Sequence, residues 1–125
     1  MNFKDKVVIV TGGTRGIGLE VAKSFYEKEA NVIIFGSKKE SVDKAVEELS
    51  KDNILVEGYY PNLNNYQEVV ETIDKIYNKY KRIDVLINNA GISANKKIED
   101  TTSEEFMHIM DININAMYNT SKAVT

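Results

Sequence analysis

Glycines at positions 12, 16 and 18, with Thr14 and Arg15 set among them, are the residues of this 125-residue chain whose types and spacing suit the holding of a phosphate group. Gly12 permits a tight turn, Gly16 lets backbone approach a bound group, and Gly18 lets a helix pack on a strand with no Cβ between them. The flanking elements must position them. Val7 to Val10 is an unbroken β-branched run, the pattern of a strand buried on both faces in a parallel sheet. From Ile17 onward apolar residues recur at helical spacing. A helix that starts in a glycine turn leaves its first N–H groups without internal partners, and with the helix dipole these make a site for a phosphate. A glycine turn without a ligand is the plainer alternative, and glycines alone do not separate the two.

Composition narrows the class. With 42% hydrophobic and 28% charged residues the chain suits one soluble globular domain, placed over 1–125 without an internal boundary. A net charge of -3 with no concentrated Lys/Arg segment argues against a nucleic-acid partner. The absence of cysteine excludes disulfides, thiolate metal sites and a cysteine nucleophile from these residues, and is compatible with a cytoplasmic location. No metal site is expected, because the one histidine, His108, has no second ligand a helical turn away. Near Met1 the charges at Lys4, Asp5 and Lys6 precede only a four-residue apolar run, too short and interrupted for a signal peptide or membrane span.

Further along, the first helix is expected to bury Ile17, Val21, Ala22 and Phe25, with a break at Glu29-Ala30-Asn31 and a second strand from Val32 to Phe35. Ser37 with Glu40 predicts a reciprocal capping box for a helix through Val42, Ala45, Val46 and Leu49. Asp52-Asn53 then turns the chain into a third strand, Leu55 to Tyr59, with Pro61 just beyond. Asn65 with Glu68 opens a helix carrying Val69, Ile73, Ile76, Tyr77 and Tyr80 on one face, and a fourth strand runs from Val85 to Asn88. Thr102 with Glu105 starts the last helix, through Phe106, Ile109, Met110 and Ile112. This alternation predicts an α/β fold of parallel strands joined by right-handed crossovers. The tyrosines at 59, 60, 66, 77 and 80 fall at spacings that suit core and edge packing rather than base stacking.

If the first turn holds a pyrophosphate, the end of the second strand, about twenty residues on, meets the adenosine ribose. Gly36, Ser37, Lys38 and Lys39 stand there, with no acid until Glu40. Together with Arg15 they suit the 2′-phosphate of NADP over the free 2′-hydroxyl of NAD. The alternative, in which Ser37 caps a helix and the lysines face solvent, stands beside it.

The stretch Thr11 to Gly18 has the form Thr-Gly-x-x-x-Gly-x-Gly, and Asn88-Asn89-Ala90-Gly91 follows the fourth strand. Together the two motifs resemble the short-chain dehydrogenase/reductase family. The resemblance implies a partial Rossmann fold, four parallel strands in the order 3-2-1-4 with helices on both faces. It also implies hydride transfer between a nicotinamide dinucleotide and a small carbonyl or alcohol. Thr14, Arg15 and Ile17 match positions that face adenosine and phosphates. Asn62-Leu63 match the adenine edge, where the family carries an Asp in place of Asn62; an Asx turn after Pro61 accounts for Asn62 without a ligand. Asn89, Ala90 and Gly91 match the segment along the nicotinamide-side ribose. Within the family, the wording around Ile34-Phe35-Gly36, Pro61-Asn62-Leu63 and Ile109 to Asn113 most resembles bile-acid 3α-hydroxysteroid dehydrogenases, with 3-oxoacyl-carrier-protein reductases alongside.

The family works through a tetrad of Asn, Ser, Tyr and Lys. Asp111-Ile112-Asn113 fits the Asn motif, which makes Asn113 the one catalytic candidate, with Asn115 out of register. Tyr118 and Lys122 satisfy Tyr-x-x-x-Lys by letters, but follow Asn113 with no strand between and belong to the same helix. The expectation is therefore a cofactor-binding half, truncated before the Ser, Tyr and Lys segments, inactive alone and taking its substrate only in a full-length form. A noncatalytic nucleotide-binding or assembly module is the alternative. With the fourth strand left at the sheet edge, the chain is expected to self-associate.

Overall fold

The computed structural model describes residues 2–50, 56–91 and 97–125. Among them, β1 (Val7–Thr11), β2 (Asn31–Phe35), β3 (Val56–Tyr59) and β4 (Val85–Ile87) form one parallel sheet in the order β3-β2-β1-β4. Helices α1 (Gly16–Glu27), α2 (Lys39–Leu49), α3 (Tyr66–Tyr80) and α4 (Ser103–Val124) connect and follow the strands. The predicted α/β class and strand order are both observed. Asp52, Asn53 and Leu55, expected to turn into and begin the third strand, lie outside the described residues.

Alternation along the strands sorts the core into two layers. Val8, Val10, Val32, Ile34 and Val56 meet Ala22 and Tyr26 of α1 and Ala45 and Leu49 of α2. Val7, Ile9, Ile33 and Phe35 meet Val69, Ile73 and Ile76 of α3, with Ala123 and Val124 of α4. Helices thus cover both faces, which is why β1 and β2 are apolar at successive positions instead of alternating with polar ones. A fully buried Val or Ile contributes about 1.5–3 kcal/mol, so this double burial makes β1 and β2 the anchor of the sheet.

Helix starts divide into two kinds. Asn65 caps α3 by accepting the Glu68 N–H at 3.2 Å, and Thr102 caps α4 by accepting the Glu105 N–H at 3.0 Å, as the sequence predicts. Ser37 does not cap α2: the N-cap is Lys38, whose backbone carbonyl accepts the Val42 N–H and whose side chain makes no cap bond. Ile17 departs from the expected apolar face of α1 and is 76% exposed, the buried positions being Gly18, Ala22 and Tyr26. Phe25 packs edge-on against Phe3. Tyr77 faces solvent because α3 buries Val69, Thr72, Ile73 and Ile76, and Phe106 and Met110 face solvent because α4 buries Ala116, Asn119 and Thr120. The exposed rings of Tyr60 and Tyr66 likewise depart from the packing expected of them.

Polar side chains fasten the two outer strands. At the β3 edge the Glu57 carboxylate accepts from Lys79 Nζ, from Tyr80 Oη at 2.7 Å and from Tyr59 Oη at 3.1 Å. Burial pushes the Glu57 pKa up, but these hydrogen bonds outweigh it and leave it lowered; burial and then the bond to Glu57 raise both tyrosines. At the amino end of β4, Asp84 exchanges bonds with Val7: its N–H donates to the Val7 carbonyl at 2.9 Å, and its Oδ2 accepts the Val7 N–H at 2.8 Å. Arg82 grips the same carboxylate through Nε at 2.8 Å and Nη2 at 2.7 Å.

Replacing Asp84 by Ala should destabilise the fold by about 1–3 kcal/mol in urea unfolding, because the buried Val7 N–H loses its acceptor. The Arg82 hydrogen bond, followed by the Val7 N–H, lowers the Asp84 pKa. Its stabilisation is therefore present above the unfolded carboxyl value of about 3.9 and lost as pH falls through the lower folded value. The gap between wild type and Asp84→Asn should accordingly narrow below about pH 4; a gap that stays constant with pH would contradict this role.

Candidate functional site

Parallel strands deliver all their carboxyl ends to one edge, and the loops that leave that edge are laced to one another. The lace begins at Thr11, the last residue of β1 and the first polar one after four apolar positions. Its buried hydroxyl accepts the Asn89 N–H at 3.0 Å and the Ala90 N–H at 2.9 Å, and donates to the Ile87 carbonyl at 3.3 Å. Asn89 Nδ2 donates to the Gly12 carbonyl at 3.2 Å. On the other side Gly13 N–H donates to the Phe35 carbonyl at 3.1 Å, and Gly36 N–H donates to the Tyr59 carbonyl at 3.0 Å. Thr11 was not singled out by sequence reasoning as a site residue. The signal was present, in a lone hydroxyl that ends an apolar strand directly before the glycine turn.

Within this edge the glycines act as their spacing requires. Gly12 and Gly16 adopt φ of 65° and 58°, in the left-handed region that other residues rarely enter. A Cβ on Gly18 would collide with the Gly12 carbonyl and come within 2.5 Å of Asn89 Nδ2, while a Cβ on Gly16 would meet nothing within 4 Å. So Gly18 is where helix and strand loop touch, and Gly16 is where the backbone lies open. The amino end of α1 has no side-chain cap and no acid in its first turn; its N-cap is the exposed Arg15. By contrast α3 and α4 carry a side-chain cap and acidic residues at the same place. Open backbone over an uncapped helix start with no acid in its first turn is a cradle that fits an anionic diphosphate.

The remaining candidates fall to either side. Thr14 abuts Gly36, where a Cβ would come within 2.6 Å of its Cγ2, so the first two loops are in contact. Ser37 and Lys38 are exposed beside them. Lys39 is bound to Asp43 at 2.7 Å, and that hydrogen bond raises its pKa. Asn62 Oδ1 accepts the Asn64 N–H at 3.0 Å, the Asx turn named as its ligand-free role. Leu63 is half-buried against the α3 layer, and its carbonyl accepts Asn119 Nδ2 at 2.8 Å.

Two asparagine contacts seat α4 over the fourth loop. Asn88 Oδ1 accepts the Thr120 hydroxyl at 2.6 Å, and Asn88 Nδ2 donates to Ser121 Oγ at 3.1 Å. Higher on the same helix Asn113 lies against Gly91: a Cβ there would come within 3.1 Å of Asn113 Oδ1. The structure thus brings Asn113 together with Gly91, and sets Ser37 and Lys38 on the neighbouring loop across β1. Tyr118 and Lys122 share α4, where the Lys122 ammonium stands 5.7 Å from the Tyr118 ring and 5.1 Å from the Tyr66 ring. Among the described residues no group of three or more His, Cys, Asp or Glu could hold a metal ion, and His108 is exposed.

Comparison with known proteins agrees with this geometry. The family model for short chain dehydrogenase matches residues 6–125. A 3alpha-hydroxysteroid dehydrogenase of Mediterraneibacter gnavus is 42% identical over 125 residues, covering 98% of this chain and 50% of that protein. The 3-oxoacyl-[acyl-carrier-protein] reductase FabG of Chlamydia muridarum is 36% identical over 121 residues, covering 96% of this chain and 49% of that protein. Among solved structures, an NAD+-bound xylitol dehydrogenase superposes with a TM-score of 0.89 at 27% identity, over 99% of this chain and 48% of the other. The chain therefore spans about half the length of these relatives. With the glycine turn, the Asn-Asn-Ala-Gly loop and the sheet order all in place, the chain belongs to the short-chain dehydrogenase family.

Proposed function

We propose that these residues are the dinucleotide-binding part of an NADP-dependent oxidoreductase that moves a hydride between nicotinamide and a carbonyl or alcohol carbon. The observation that carries this is the open, uncapped start of α1, with left-handed Gly12 and Gly16, at the same sheet edge as Asn89, Ala90 and Gly91. In this reading the backbone of Gly12, Gly16 and Gly18, with Thr14, Arg15 and Ile17, takes the diphosphate. Asn62 and Leu63 border the adenine, and Asn89, Ala90 and Gly91 run along the nicotinamide ribose. The bound dinucleotide supplies or receives the hydride. Asn113, held against Gly91, orders a water on the proton path at that end.

Charge supports the choice of NADP. Lys39 is already engaged by Asp43, so Ser37, Lys38 and Arg15 are left to receive a 2′-phosphate, and no carboxylate stands at the end of β2 to take a bare ribose hydroxyl. The cysteine-free composition suits a reducing cytoplasm. Proton transfer needs a tyrosine and lysine facing Asn113. Tyr118 and Lys122 do not supply them, since Lys122 sits two and a half turns from Asn113, about half a rotation around α4. These 125 residues therefore bind the dinucleotide without turning over a substrate, and a small carbonyl or alcohol is taken only where the remaining half of the pattern is supplied.

Self-association is part of the same reading. Strand β4 is an edge, and α4 presents Phe106, Met107, Met110, Ile114, Met117 and Tyr118 to solvent. A second copy covers this surface by sheet continuation or swapping. Neither a nucleic acid nor a membrane is assigned as a partner; among the described residues no helix is long and apolar enough to cross a membrane.

Calorimetric titration should show NADP binding more tightly than NAD, and Lys38→Ala should weaken NADP about tenfold, the worth of one charge-assisted contact, while leaving NAD unchanged. No binding of either dinucleotide would overturn the reading, and ketone-dependent NADPH oxidation by the chain alone would overturn its inactivity. Sedimentation equilibrium should report a dimer or larger species; a monomer at high concentration would refute self-association.

A further inference from the structure

Tyr60 is an aromatic residue at the cofactor edge to which neither the motifs nor the core gives a task. It follows β3 directly, and the residue is 51% exposed. The β2–β3 ladder pairs Phe35 with Tyr59, and the Gly36 N–H bond to the Tyr59 carbonyl carries the alignment one residue further, so Tyr60 stands across from the Gly36-Ser37 turn. Its direction follows from alternation. Gly58 faces α2, where a Cβ would meet Val42 and Val46, and Tyr60, two residues on, shares that face. Its phenol accordingly bears on Lys39 at the start of α2, adding to the pKa increase that Asp43 chiefly causes.

The backbone beneath the ring is preset. Pro61 follows and is buried, which restricts Tyr60 to extended conformations, and the Asx turn of Asn62 fixes the chain beyond. A flat ring on a rigid stem, half open to water and level with the Ser37, Lys38 and Asn62 loops, is built to receive another flat ring. We infer that Tyr60 is a binding residue of the dinucleotide site, its phenol ring stacking on the adenine while Ser37 and Lys38 hold the adjoining ribose phosphate. This rests on the dinucleotide reading above and adds to it the residue on which the base rests.

The test compares wild type, Tyr60→Ala and Tyr60→Phe, each binding NADP and adenosine 2′,5′-bisphosphate in calorimetry, with thermal melting as a check on the fold. Tyr60→Ala should weaken both ligands about five- to tenfold at unchanged melting temperature, the low end of what stacking a base on an aromatic side chain provides. Tyr60→Phe, which keeps the ring and removes the hydroxyl, should bind as wild type does. Wild-type affinity in Tyr60→Ala would overturn the assignment, as would an equal loss in Tyr60→Phe. If wild type binds neither ligand, the dinucleotide reading falls and this one with it; if wild type binds and Tyr60→Ala matches it, only the role of Tyr60 falls.

Discussion

The hydroxyl of Thr11 is the point on which the site depends. A parallel sheet forces every loop that leaves a strand onto one edge, where backbone groups that no longer belong to a ladder must still be paired. At the end of the central strand, one buried oxygen takes two N–H groups from the loop after β4 and gives its proton to that strand's last carbonyl. Asn89 answers by binding the Gly12 carbonyl, so the first and fourth loops hold each other. Among the described residues no buried side-chain nitrogen or oxygen is left without a partner. The polar side chains of the edge are satisfied internally, while the start of α1 is left open: like α2 it has no side-chain cap, and unlike α2 it has no acid in its first turn.

That contrast separates structure from function along the chain. Where a helix start serves only the fold, as at Asn65 and Thr102, a side chain caps it and acids occupy the first turn. Where a helix start faces the edge between the first and fourth loops, cap and acids are missing and glycines replace side chains. The same logic applies to α4. Its Asn88, Thr120 and Ser121 contacts fix the helix over the fourth loop, with Asn113 against Gly91 farther along it.

How much of this was legible in the sequence follows from which forces act locally. Strand identity and order were legible, because double burial writes unbroken apolar runs such as Val7 to Val10, and the two motifs carry the resemblance that implies the order. The caps at Asn65 and Thr102 were legible for the same reason, being interactions over three residues. Ser37 shows the limit of that rule: Ser-x-x-Glu spacing was present, yet the turn after β2 holds Gly36 on the Tyr59 carbonyl and starts the helix one residue later. Ile17 and Phe106 were read as core from their spacing, but tertiary packing decided otherwise, since Gly18 and Ala22 bring α1 close through small residues and α4 docks through Asn119 and Thr120. Thr11 escaped notice because its role lies in contacts between loops distant in sequence, and Tyr60, whose spacing suits packing, is instead half exposed beyond the end of β3.

The claim beneath all of this is that the backbone from Gly12 to Gly18 holds a dinucleotide diphosphate on a platform locked by Thr11. Amide chemical shifts recorded on a 15N-labelled chain, with and without saturating NADP, test it most directly. The largest changes should fall at Gly16, Ile17 and Gly18, accompanied by Ala90 and Gly91, with the amides of α3 nearly unmoved. Saturable binding that leaves the Gly16 to Gly18 amides where they were, or that moves α3 instead, would contradict the account.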